Sequence, residues 1–233
     1  MNLKNAIRNT MRSLNISMMF CGLLFASDLL AQTSVGQGFL TASEDEGHRT
    51  EISISAGLDV SKYSEKPSAE KVKNRLGYNF GVGVNFPLYY FRSDCGLRLQ
   101  TGLFVESKGA KEEYEDSYEG VKATYTTTYL QIPVMAEFRS EVAQSTNVFI
   151  NIGPYFAYGI GGNYDDNLSI MPTGSLFTNI LNRFDCGLTY GAGVIYKKVK
   201  FGIWYETGLV DISNVEEYSI KTRNLMFSLS YIF

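Results

Sequence analysis

The side chains that could carry chemistry are few, and their spacing does not favour catalysis. His48 is the only histidine in 233 residues. A single histidine leaves little room for a His-based metal site or Ser–His catalysis. It precedes the first strand-like segment, where a solvated linker residue is the simpler reading. Asp165 and Asp166 form a carboxylate pair of the kind that does acid–base work or binds a cation. Gly161, Gly162, Asn163 and Asn167 surround the pair and spell a solvated turn instead. Gly81 and Gly83 sit within an alternating strand, so they are no nucleotide fingerprint. No enzymatic activity, cofactor or metal is expected. With 21 basic against 24 acidic residues, a nucleic-acid footprint is excluded too.

Three further charged residues, Arg98, Glu137 and Glu206, fall inside apolar-rich alternating segments. An isolated charge there is costly, so they must pair or stay hydrated. What they do depends on the elements that hold them. Period-2 alternation runs through residues 50–60, 76–88, 95–107, 123–138, 147–160, 184–197, 200–210 and 224–233. With no crossover helices between them, eight such strands form an antiparallel meander. The connections alternate: 89–94, 139–146 and 198–199 are short, whereas 61–75, 108–122, 161–183 and 211–223 are long and polar. Short turns at one end and long loops at the other describe an outer-membrane barrel.

The two faces of the strands point the same way. One carries bulky apolar residues, such as Ile52, Ile54, Leu58, Phe80, Val82, Leu103, Ile150 and Tyr190. The other carries the strand glycines, such as Gly57, Gly83, Gly102, Gly153, Gly191 and Gly202, together with Gln100, Gln131, Asn151 and the three charges. Glycine is depleted from ordinary sheets. It belongs where space is short, as in the lumen of an eight-stranded barrel. A soluble, lipocalin-like barrel would reverse the faces and would put Lys, Glu and Thr, not glycine, toward water. The expectation is therefore an all-β, eight-stranded, up-and-down transmembrane barrel over 50–233. Arg98, Glu137 and Glu206 would form a hydrogen-bonded plug in its lumen. Pro133 and Pro154, at similar heights on neighbouring strands, predict a local bulge or bend.

Ahead of the barrel, Lys4, Arg8 and Arg12 precede the apolar run Ile16–Ala26, and Ala31 is a suitable last residue before cleavage. This is the plan of a secretory signal peptide over 1–31, followed by a polar periplasmic leader over 32–49. Its removal leaves 18 basic and 23 acidic residues. Cys95 and Cys186 then remain; they begin non-adjacent strands at opposite membrane faces, so two free thiols are expected.

Several stretches resemble a small outer-membrane barrel family of Bacteroidetes, the PorT-like or outer membrane protein beta-barrel domain family. They are Gly57–Lys62, Gly102–Lys111, Tyr129-Leu130-Gln131-Ile132-Pro133-Val134, Asn151–Tyr155, Gly191–Val194 and the terminal Ser228–Phe233. The family's usual Leu-Glu-Ile-Pro appears here with Gln131 in place of the glutamate, which removes one lumen carboxylate. The resemblance implies an outer-membrane location and identifies no substrate. It also allows a transport role, as a narrow pore or as part of a secretion system. The reading favoured here is a non-enzymatic structural or surface-binding barrel with a filled lumen. Its partners are outer-membrane lipid and the barrel-assembly machinery, for which Phe227, Leu229, Tyr231 and Phe233 form a candidate signal. An unidentified protein partner could dock on the extracellular loops. The candidate surface is Leu176, Phe177 and Ile180, in a short helix expected over 176–182, and the alternative is packing of that loop on the rim.

Overall fold

The computed structural model describes residues 49–66, 71–114, 121–166, 176–179, 181–214 and 219–233. The signal-peptide segment, the leader up to His48, and Ile180 lie outside the described residues. The strands are β1 (Glu51–Lys66), β2 (Lys71–Lys73), β3 (Arg75–Arg92), β4 (Cys95–Tyr114), β5 (Val121–Ala143), β6 (Thr146–Asp166), β7 (Phe184–Tyr196), β8 (Val199–Gly208) and β9 (Ser219–Ile232). One helical turn, α1 (Leu176–Asn179), lies between β6 and β7. Each long strand pairs antiparallel with its sequence neighbour, and β1 closes the ring against β9. The three-residue β2 lies beyond Asn74 from β3 and also pairs with β4. The barrel therefore has eight staves, in the up-and-down order the alternation implied.

Two-residue turns join β3 to β4 at Ser93–Asp94, β5 to β6 at Gln144–Ser145 and β7 to β8 at Lys197–Lys198. Ser145 and Lys197 adopt positive φ values of 59° and 53°, which tight hairpin turns require. These turns share one end with the start of β1 and the end of β9. In an outer-membrane barrel this is the periplasmic end, because such barrels keep their short turns there, and the two ends are named accordingly.

The other end departs from expectation. The segments 61–75 and 108–122 are in large part strand, not loop, and strand also takes up residues 161–166 of the segment 161–183. The strands β4, β5 and β6 run 20, 23 and 21 residues, against the roughly 9–11 that a tilted strand needs to span the bilayer. Ladder pairing continues to Tyr114↔Val121 between β4 and β5, and to Ala123↔Asp166 between β5 and β6. Asp165 and Asp166 thus belong to a paired strand and not to a solvated turn. The expected proline bulge is also absent. The β5–β6 register is the same on both sides of the prolines, and the ladder is simply interrupted between Pro133↔Tyr155 and Ala136↔Ile152, where Pro154 has no N–H to give. The bulges of this pair lie elsewhere, at Thr128/Tyr129 and Glu141/Ala143.

The faces fall as lipid requires. Ile52, Leu58, Phe80, Leu103, Ile150, Tyr190 and Leu229 point outward and are about half exposed. So do Phe227, Tyr231 and Phe233 on the closing strand. Asp59, Asn85, Arg98, Gln131, Glu137 and Glu206 point inward and are buried. The lumen is less uniformly polar than the glycine pattern suggested. Phe149, Tyr155 and Trp204 also point inward, and glycines make room for them. A Cβ on Gly202 or Gly191 would lie 2.3 Å from a carbon of the Trp204 ring, and one on Gly193 would lie 2.7 Å from Phe149.

Candidate functional site

The lumen gathers buried ionisable side chains in two layers. The periplasmic layer joins Glu51 of β1, Asn85 of β3, Arg98 of β4, Glu137 and Arg139 of β5 and Lys200 of β8. Arg139 donates to both Glu51 oxygens at 2.7 and 2.9 Å and to Glu137 at 2.7 Å. Lys200 crosses the lumen to Glu137 at 2.5 Å, with its ammonium 4.0 Å from the centroid of Phe149. Arg98 donates through Nε to Asn85, whose amide donates in turn to Glu137 at 2.9 Å.

The extracellular layer centres on Lys108, which is 1% exposed. Its ammonium donates to Glu206 at 2.7 Å and to Gln131 at 2.8 Å, lies 3.1 Å from Glu106, and sits 4.6 Å from the centroid of Tyr155. Gln131 donates its amide to Glu106 at 2.8 Å and to Glu206 at 2.5 Å. Lys108 and Glu206 stand on β4 and β8, opposite sides of the ring, so the pair is a strut across the bore. Asp59, held by the Asn79 amide, and Asp185, held by Tyr155 and Thr222, lie within electrostatic reach of Lys108.

Arg98, Glu137 and Glu206 all face the lumen, but they do not form one network. Arg98 and Glu137 share the periplasmic layer, while Glu206 belongs to the other. Sequence reasoning missed the residue at the centre of that other layer. Lys108 fell in a segment read as loop, because Glu106-Ser107-Lys108-Gly109-Ala110-Lys111 has too few apolar residues to mark a strand. Arg139 likewise falls in the segment 139–146, which reads as a turn. The signal that existed was parity: 98, 100, 102, 104, 106 and 108 continue one face of β4.

Between the layers lies a cavity with about 60 Å³ of space open to water, room for roughly four to six molecules. Ser53, Ser55, Gln100, Phe104, Trp204 and Ser230 are among its walls. Above the extracellular layer a buried apolar cluster sits in the mouth as a lid. Leu176 and Phe177 of α1 are 2% and 6% exposed and pack with Leu181, Ile212, Tyr63, Tyr129 and Tyr155. A Cβ on Gly159 would lie 2.2 Å from the Phe177 ring, so this glycine seats the lid. The lid is strapped down by Asn182 donating to the Ile212 carbonyl at 2.7 Å. Leu176 and Phe177 are thus turned into the barrel mouth. The helix is one turn long, shorter than the 176–182 expected.

Cys95 and Cys186 are both free. Among the described residues no group of acidic, histidine or cysteine side chains is arranged to hold a metal ion.

No curated protein matches the chain. Among solved structures it is similar to the attachment invasion locus protein Ail of Yersinia pestis, at 18% identity over 79% of this chain and 99% of that one, with a TM-score of 0.37. It is similar also to Neisserial surface protein A, at 11% over 78% and 97% with a TM-score of 0.45. A third is the outer membrane protein OprG of Pseudomonas aeruginosa, at 12% over 80% and 97% with a TM-score of 0.38. The family described as outer membrane protein beta-barrel domain matches residues 31–214. With its closed ring, apolar outer wall and polar lumen, the chain belongs to that outer-membrane β-barrel family, and its place is the cell outer membrane.

Proposed function

We propose that this barrel is a non-enzymatic structural or surface protein: a closed membrane stave that carries an extended extracellular sheet and does not conduct. The observation that carries the reading is the Lys108–Glu206 strut beneath the Leu176–Phe177 lid. A hydrated ion would have to displace both. Reconstitution into planar bilayers tests it. The expected result is no stepwise conductance; steady single-channel currents from the wild-type protein would replace this reading with the pore.

Finer assignments rest on sequence resemblance. The PorT-like motifs favour a Bacteroidetes lineage, and in that setting a secretion-system component is the second reading. The basic, apolar and small-residue order of 1–31 supports export with cleavage after Ala31. N-terminal sequencing of the outer-membrane fraction should find Gln32 first. A partner at the extracellular end would meet surfaces other than Leu176 and Phe177, whose side chains are engaged in the lid. Phe227, Leu229, Tyr231 and Phe233 are proposed to serve the assembly machinery, as the outward-facing apolar column of β9.

A further inference from the structure

The outer wall carries a cationic patch that neither lumen layer explains. On β1 and β9 the lipid-facing column reads Ile54↔Tyr231, Ala56↔Leu229, Leu58↔Phe227 and Val60↔Leu225. The next outward pair is Lys62↔Arg223, directly opposite each other, and Lys221 follows one pleat further, opposite Ser64. All three are exposed. Among the described residues none of them makes a hydrogen bond or an ion pair.

Like charges directly opposite on one face of an antiparallel pair repel. Here the repulsion is left uncompensated by any acid of the described protein. The pair stands about 7 Å along the strand beyond the last apolar pair, since two residues rise roughly that far. It is at the extracellular end, away from the short turns. That height, just past the hydrocarbon edge, is where lipid headgroups stand. The three side chains continue the outward-facing apolar column of the wall and do not face the lumen, which favours a lipid headgroup as the occupant.

We propose that Lys62, Lys221 and Arg223 form a binding site for the phosphate groups of an outer-leaflet lipid headgroup. Arg223 offers a planar fork matched to phosphate oxygens, and the two lysines add point charge on either side. The neighbouring Thr207, opposite Arg223 on β8, places a hydroxyl next to the same site.

The test uses the mature protein folded in detergent micelles, titrated with lipid A and with the same lipid after enzymatic removal of its phosphates. Each juxtamembrane cation contributes roughly fivefold in affinity for an anionic headgroup. Lys62→Gln/Lys221→Gln/Arg223→Gln should therefore weaken lipid A binding roughly a hundredfold, whereas Lys197→Gln/Lys198→Gln at the periplasmic turn should bind as wild type. Should the triple variant fail to fold, Arg223→Gln alone should lose roughly fivefold. Equal binding of the dephosphorylated lipid, or unchanged binding by the folded variants, would overturn the proposal. So would an equal loss in the periplasmic control. Inorganic phosphate at the same concentration should not compete; if it displaces the lipid, the site belongs to free phosphate and the lipid assignment is wrong.

Discussion

The two lumen layers use the same residue types in opposite proportion. The periplasmic layer sets Arg98, Arg139 and Lys200 against Glu51 and Glu137, and both carboxylates receive more than one donor. The extracellular layer sets Lys108 alone against Glu106 and Glu206, with Asp59 and Asp185 close by. Buried Asp59 and Asp185 each keep one oxygen without a protein partner. In the first layer redundancy protects each charge. In the second everything turns on one ammonium and one amide. A buried ion pair is weak evidence of stability until one asks what remains when a member is removed, and here the two answers differ.

The largest effect should therefore come from Lys108→Met. It leaves Glu106 and Glu206 facing each other in the bore with no cation, the situation that costs about 3–5 kcal/mol. Lys200→Met should cost about 1–3 kcal/mol, because Glu137 retains Arg139 and Asn85. Urea titration of each variant folded into phosphatidylcholine vesicles measures both. Equal losses would break the contrast between the layers.

Gln131→Glu comes next. In this lumen it removes two amide donors to Glu106 and Glu206 and sets a third carboxylate beside them. The expected cost is about 2–3 kcal/mol by the same titration. A neutral result would mean that Lys108 alone can serve three acids.

How much of this was legible in the sequence follows from what each residue type signals. The outer wall was legible, because lipid selects bulky apolar side chains at every second position and Ile52 to Val60 or Leu225 to Phe233 cannot be read otherwise. Arg98 and Glu137 were legible because apolar neighbours framed them. Lys108 was not, because a strand that leaves the membrane loses its apolar face, so Lys108–Glu113 looks like a solvated loop. The lumen aromatics were hidden for a related reason: Trp204, between Ile203 and Tyr205, gives no alternation to read. Lys62 and Arg223 were hidden by separation in sequence, since only the closing pairing of β1 with β9 puts them together.

Acid-to-amide changes sharpen the comparison by sign. Glu137→Gln should destabilise by about 2–3 kcal/mol, since Arg139 and Lys200 lose the fully buried negative charge they share and one of them meets an amide donor in place of an oxygen. Asp59→Asn in the over-acidic layer should be neutral or stabilising by up to about 1 kcal/mol. Its carbonyl can still accept from Asn79, and one uncompensated charge is gone. Destabilisation by both would show that the extracellular layer is balanced after all, by an ion or protons taken up with the fold.

The smallest expected effect concerns the space between the layers. Gly83 faces the cavity, and a Cβ there would meet only the Ser53 hydroxyl closely, at 2.9 Å, with the Phe104 ring edge 3.7 Å away. A serine hydroxyl can rotate aside, so Gly83→Ala should change stability by less than about 0.5 kcal/mol. Gly202 also faces the lumen, but its Cβ would lie within 2.3–2.8 Å of three carbons of the Trp204 ring. A rigid indole walled in by the barrel cannot rotate aside in the same way, and overpacking of this kind costs about 1–3 kcal/mol. The two substitutions add the same single carbon to the same face of the same sheet. Their difference, read from the heat-dependent gel mobility of the folded barrels, reports whether the cavity at Gly83 is real space. If Gly83→Ala lowers stability as much as Gly202→Ala does, the lumen is packed throughout and the two layers form one continuous plug.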